Sequence, residues 1–188
     1  MNRLRFLAAL VLAGCCLALP LRAQDAKKAD PKPALGANAA LLEQWNDLGK
    51  LLTDIAEDMP EDKYDFKPKP EMRSWVGQLL HATQGNYYFI NPVQGKPLPP
   101  DDPDVTNLKT RAQVVAFVKQ SFAEGAELIK KQGDAGMSKT YQLGGQMVRF
   151  DALAYELIGH GQEHYGQMVV YYRLNGIVPP ASRPKKGM

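Results

Sequence analysis

The chain has 188 residues, enough for one domain with one core, with 23 Lys and Arg against 20 Asp and Glu. The basic excess lies in residues 1–23, which hold Arg3, Arg5 and Arg22 and no acid. Without them 20 basic and 20 acidic residues remain, a balance that offers no basic patch for nucleic acid.

Residues 1–23 read as a secretory signal peptide. Arg3 and Arg5 form a positive start, Phe6 to Leu19 is an apolar stretch too short to span a bilayer, and Ala23 is a small residue at a cleavage point before Gln24. Leu12-Ala13-Gly14-Cys15 is a competing lipobox, which would place a lipid anchor on Cys15. Against it, the chain stays apolar after Cys15. Cys15 and Cys16 are the only cysteines, so a chain cleaved at residue 23 has neither disulfide nor thiol nucleophile. Residues 24–38, small, polar and proline-containing, are expected to be a flexible tether, and residues 184–188 a short tail around the domain of 39–183.

Leu41, Trp45, Leu48, Leu52, Ile55 and Met59 recur at steps of three and four, one apolar stripe of a first helix that Pro60 stops. Tyr64 to Glu71 is a loop with Pro68 and Pro70. Ser74 is an N-cap for a second helix over about 75–90, which Asn91-Pro92 is expected to end. Prolines 92, 97, 99, 100 and 103 then make a stiff crossing loop. Thr110 with Gln113 is a capping-box pattern for a third helix, whose buried face holds Val114, Phe117, Val118, Phe122, Leu128 and Ile129. Residues 133–148, with four glycines, read as an irregular loop. The fourth helix runs from Phe150 to Leu174, with Asn175-Gly176 and Pro179-Pro180 as its stop. Four amphipathic helices, with no strand pattern and no internal repeat, predict an all-α four-helix bundle.

On the fourth helix Leu153, Leu157, His160, His164, Met168 and Tyr171 share one face. Side chains four apart on a helix stand about 5–6 Å apart at Cβ, the spacing at which two imidazoles can hold one divalent ion. The third and last histidine of the chain, His81, lies in the middle of the second helix among apolar neighbours. One ion would satisfy one nitrogen of all three; the alternative is three imidazoles bonded separately, to backbone or to Glu156. His160 to His164 also reads H-x-x-E-H, the inverzincin pattern, with Glu163 as candidate general base. Only 24 residues follow His164 and none is acidic, so the downstream carboxylate ligand of those peptidases is absent. Glu156, one turn before His160, is a candidate to orient that ring. Trp75, Tyr88 and Tyr165 are candidates to line a pocket.

Glu163 to Pro180 (EHYGQMVVYYRLNGIVPP) resembles the C-terminal helix of the DinB/YfiT-like superfamily of metal-dependent proteins. Arg73 to Ala82 (RSWVGQLLHA) resembles its second helix, and Phe66-Lys67-Pro68 the approach to it. The resemblance covers roughly residues 38–183. It implies a four-helix bundle of DinB/YfiT-like type with a rearranged connection order and a three-histidine site, His81, His160 and His164, for zinc or nickel. It also implies a small-molecule substrate, some relatives being thiol-dependent, a possible homodimer through helix faces, and no DNA binding despite the family name. The export signal departs from the cytoplasmic, thiol-dependent members. Three function classes follow. A three-histidine site with an open position fits a metal-dependent hydrolase or transferase. The others are a non-catalytic extracytoplasmic module for a metal or small ligand, and a bundle that uses metal for stability alone.

Overall fold

The computed structural model describes residues 33–101, 108 and 110–184. The expected signal segment with Cys15, the tether up to residue 32 and residues 185–188 of the expected tail lie outside the described residues.

Four helices form the domain: α1 (Ala37–Asp58), α2 (Trp75–Gln94), α3 (Arg111–Gly136) and α4 (Phe150–Leu174). Ala37 and Asn38, expected in the tether, already belong to α1. Asn38 ties that end to α3, its N–H donating to Asp134 Oδ1 at 2.7 Å and its Nδ2 to the Ile129 carbonyl at 2.6 Å. The stripe read from sequence is the buried face of α1: Leu41, Trp45, Leu48, Leu52, Ile55 and Met59 are each 1 % exposed or less. At about 1.5–3 kcal/mol for each large apolar side chain, this face alone outweighs any helix propensity of its residues.

The sequence caps are present. Ser74 accepts from the Gly77 N–H at 3.2 Å, and Thr110 and Gln113 exchange the two bonds of a capping box. The stop expected at Asn91-Pro92 is displaced. Pro92 lies inside the last turn of α2, where it forfeits a single backbone bond. The helix ends at Gly95, whose positive φ of 70° lets the Lys96 N–H reach the Asn91 carbonyl and the Gly95 N–H the Pro92 carbonyl.

Residues 133–148 are not the irregular loop expected. Gly133 kinks α3, which continues to Gly136, and an antiparallel hairpin follows, β1 (Thr140–Leu143) and β2 (Gln146–Arg149). Gly144 and Gly145 supply the two positive φ angles (53° and 86°) that a two-residue hairpin turn needs. The Phe150 N–H then donates to the Lys139 carbonyl at 2.7 Å, which seats the start of α4.

Around the bundle α1 packs on α3 and α4, and α2 packs on the same two. Helices consecutive in sequence, α1 with α2 and α3 with α4, are therefore diagonal. Small residues key these contacts. A Cβ on Gly125 of α3 would lie 2.1 Å from Trp45 of α1, and one on Gly161 of α4 would lie 2.6 Å from Leu48. Trp45 Nε1 donates to the Phe122 carbonyl at 2.8 Å, and the buried Asn86 of α2 donates to Ser121 of α3 at 3.0 Å. Tyr172 of α4 reaches the Ile55 carbonyl of α1 at 2.8 Å. No helix among the described residues is long and apolar enough to cross a membrane.

Candidate metal centre

The packing of α2 on α4 brings His81 against His160 and His164. One ring nitrogen of each falls in a group whose members all lie within 4.8 Å of one another. The His81 ring lies 4.9 Å from that of His164 and 5.5 Å from that of His160, centroid to centroid. His160 Nε2 and His164 Nε2 face each other at 3.0 Å. Two nitrogens held at about 2.0–2.1 Å from one zinc ion stand roughly 3 Å apart, so this pair already has the spacing of adjacent ligands.

Each ring is set by particular neighbours. His164 is 8 % exposed, and its Nδ1 lies 2.6 Å from the side-chain nitrogen of Gln78 and 3.3 Å from Gln167 Oε1. Gln78 and Gln167 are bonded to each other as well. Gln78 is on α2, three residues before His81, and Gln167 is on α4, three residues after His164, so both fall on the site faces of their helices. His160 rests on Gly85 of α2. A Cβ there would come within 2.6 Å of its Cε1 and 2.8 Å of its Nδ1. His160 Nδ1 is buried with no hydrogen-bond partner among the described residues. A proton shared between the two Nε2 atoms leaves that nitrogen unsatisfied, and a buried polar atom in this state is costly.

Burial drives the electrostatics. Desolvation first, and then the proximity of His160 and His81, holds the His164 pKa down to about 4. The pKa of His160 is lowered too, by desolvation and then by His81, with Glu163 and Glu156 acting the other way. At neutral pH both imidazoles are thus the uncharged form that a metal ion requires.

A cavity of about 380 Å³ opens beside the histidines. His81, Gln84, Gly85 and Tyr88 of α2 line one side, Leu153, Glu156, Leu157 and His160 of α4 the other, with Leu143 of the hairpin and Asp101 of the proline loop. Of the aromatic candidates, Tyr88 lines this cavity. Trp75 is fully buried in the core, stacked on Tyr64 with ring centroids 5.1 Å apart, and half-buried Tyr165 lies off the cavity wall. Glu156 stands on the wall. Glu163 is exposed, off the wall, and accepts from Gln167 Nε2 at 3.3 Å.

Residues 40–168 match the model of the DinB superfamily. The chain belongs to the DinB superfamily. Solved DinB-like structures share its fold. One from Bacillus cereus has a TM-score of 0.63 at 15 % identity, covering 76 % of this chain and 95 % of its own. YjoA of Bacillus subtilis has a TM-score of 0.60 at 17 % identity, covering 78 % and 99 %. YfiT of Bacillus subtilis, described as a probable metal-dependent hydrolase with an unusual four-helix bundle topology, has a TM-score of 0.59 at 12 % identity, covering 79 % and 94 %. At these identities the likeness is one of fold. No curated protein matches the chain.

Gly85, Gln78 and Asp101 escaped sequence reasoning. A glycine four residues after His81 in a strong helical pattern was the available signal for Gly85, since an interior helix glycine usually has a packing reason.

Proposed function

We propose that this DinB-superfamily chain is an exported metal-dependent enzyme of hydrolase or transferase type, holding one divalent ion through His81, His160 and His164. The observation that carries the reading is the convergence of the chain's only three histidines, two of which, His81 and His160, stand on the wall of a cavity large enough for a small substrate. Three protein ligands leave a coordination position open, as catalytic sites do and closed structural sites do not.

The donor set is all imidazole, which suits zinc or nickel. Such an ion would supply Lewis-acid activation of water or of a thiol. The chain's own residues have the remaining tasks. Gln78 and Gln167 hold His164 by its Nδ1, and Gly85 gives His160 its place. Leu143, Leu153 and Leu157 keep water from one side of the cavity. Glu163, the candidate general base, is off the cavity wall and accepts from Gln167 Nε2 at 3.3 Å, so its route to the site would run through Gln167 and His164.

Metal analysis of the purified chain should find close to one zinc or nickel per protein, and His160→Ala should lose it while keeping helical circular dichroism. A panel of esters, amides and thiol acceptors then tests turnover. Glu163→Gln should lower the rate at unchanged metal content. Full metal content without turnover of any panel member would favour a binding module. Export rests on residues 1–23; mass spectrometry should find Gln24 at the N-terminus, and a diacylated Cys15 would replace soluble export with a lipid anchor.

A further inference from the structure

The cavity beside the histidines has a charge pattern of its own. Among the described residues its lining carries two acids, Asp101 and Glu156, and no lysine or arginine. The cation that acts electrostatically on His160, Arg73, lines a separate cavity with Glu71, Gln78 and Gln167. Leu143, Leu153 and Leu157 add an apolar surface to the same lining.

Asp101 is held in place. Tyr88 donates to its Oδ1 at 2.6 Å. Two further residues of the same α2 face pin the loop that carries it, Gln84 to the Pro100 carbonyl and Asn91 to the Pro97 carbonyl. The loop's prolines restrict the backbone between these anchors. A carboxylate fixed this way meets a ligand with little ordering left to do, which is the condition for a useful charge contact. Glu156 stands on α4 one turn before His160, on the same wall.

We propose that this cavity selects a compact substrate with an apolar body and a protonated amine, the ammonium meeting Asp101 and Glu156 while the other end reaches the histidines. It disfavours anionic substrates, carboxylate-bearing thiols among them. The inference rests on the metal-site reading for the reacting end, but the charge preference belongs to the cavity itself.

Three hydroxamate probes test it on the zinc-loaded protein by calorimetry: benzohydroxamate, its para-aminomethyl form and its para-carboxylate form. The ammonium probe should bind about two- to fivefold more tightly than the neutral one, and the carboxylate probe weaker by a similar factor, the range of partly exposed charge pairs. Asp101→Asn with Glu156→Gln should level the series. Both positions are exposed, so the fold should be unaffected, and Tyr88→Phe should weaken the preference without removing either charge. Equal binding of the three probes, tighter binding of the carboxylate, or a preference that survives the double variant would overturn the proposal. Benzylammonium and benzoate, followed by NMR on the metal-free protein, separate the two readings. A preference for benzylammonium there, with no zinc-dependent hydroxamate binding, sinks the metal site and keeps the charge selection. Zinc-dependent binding without charge preference does the reverse.

Discussion

Replacing Gly85 with alanine sets helix stability against the histidine cluster. The added Cβ would lie 2.6 Å from His160 Cε1, whereas ordinary contact begins at 3.4 Å, so the ring must retreat by about 0.8 Å. Metal–ligand distances tolerate only about 0.2 Å. The loss in metal affinity should be at least the roughly 10- to 100-fold that follows from disturbing a ligand's supporting shell. Stability should move the other way. Alanine in a helix interior is better than glycine by about 1 kcal/mol, or about 2–4 °C in a chain of this size. In the metal-free protein the His160 ring has a neighbouring cavity into which it can swing. Competition titration with a chromophoric chelator and thermal melts in EDTA read the two quantities separately. Gly159→Ala is the control, because a Cβ there meets nothing within 4 Å; it should gain the same stability with no loss of affinity. Wild-type affinity in Gly85→Ala would refute the cradle. A fall of about 10 °C in the metal-free melt would show that the glycine serves general packing.

Gln78→Leu keeps the buried volume but removes the amide facing His164 Nδ1, and should weaken zinc binding about 10- to 100-fold in the same titration with helical content unchanged. In the metal-free protein the depressed His164 pKa means that, between about 6.5 and about 4, the unfolded chain binds a proton the fold excludes. Its contribution to stability is therefore complete above pH 6.5 and lost as pH falls toward 4, up to roughly 3 kcal/mol; urea denaturation in chelator should show this decline, and His164→Asn should flatten it. Gly125→Ala would drive a Cβ to 2.1 Å from the Trp45 ring and should destabilise the fold by about 1–3 kcal/mol or more, measured by the same denaturation. Chelating the metal should lower the melting temperature, by about 2.7 kcal/mol of lost binding at a hundredfold excess of metal over its dissociation constant, yet leave the helices folded because the core is apolar and extensive.

The four helices were legible because each carries an apolar stripe and most carry a signal at one end. Ser74, the Thr110–Gln113 box and Asn175-Gly176 act within a single turn, so local sequence is enough to read them. The histidines were legible for the same reason, two of them through helical spacing and the third by its rarity. The hairpin was not. Its strands have four residues each, and their mixture of polar and half-buried side chains gives too few alternations to outweigh four nearby glycines. Pro92 reads as a stop in the sequence, though in a last turn a missing N–H costs little. Gly85 and Asp101 owe their roles to residues on other elements, which no local pattern reports. The diagonal helix order is set by matches such as Trp45 with Gly125, visible only once the helices are paired.

That diagonal order also decides when the site can exist. α2 and α3 are consecutive and adjacent, so they can pair early as a helical hairpin, and α1 can dock on α3 without α4. His81 is then presented on an incomplete bundle, and its two partners arrive with α4, whose first residue follows the hairpin turn by only a few positions. A ligand set split in this way cannot form from neighbouring chain segments during synthesis, when the N-terminal part folds first. On the proposed metal-site reading, metal capture would therefore await the closing step of folding, when α4 seats against α2.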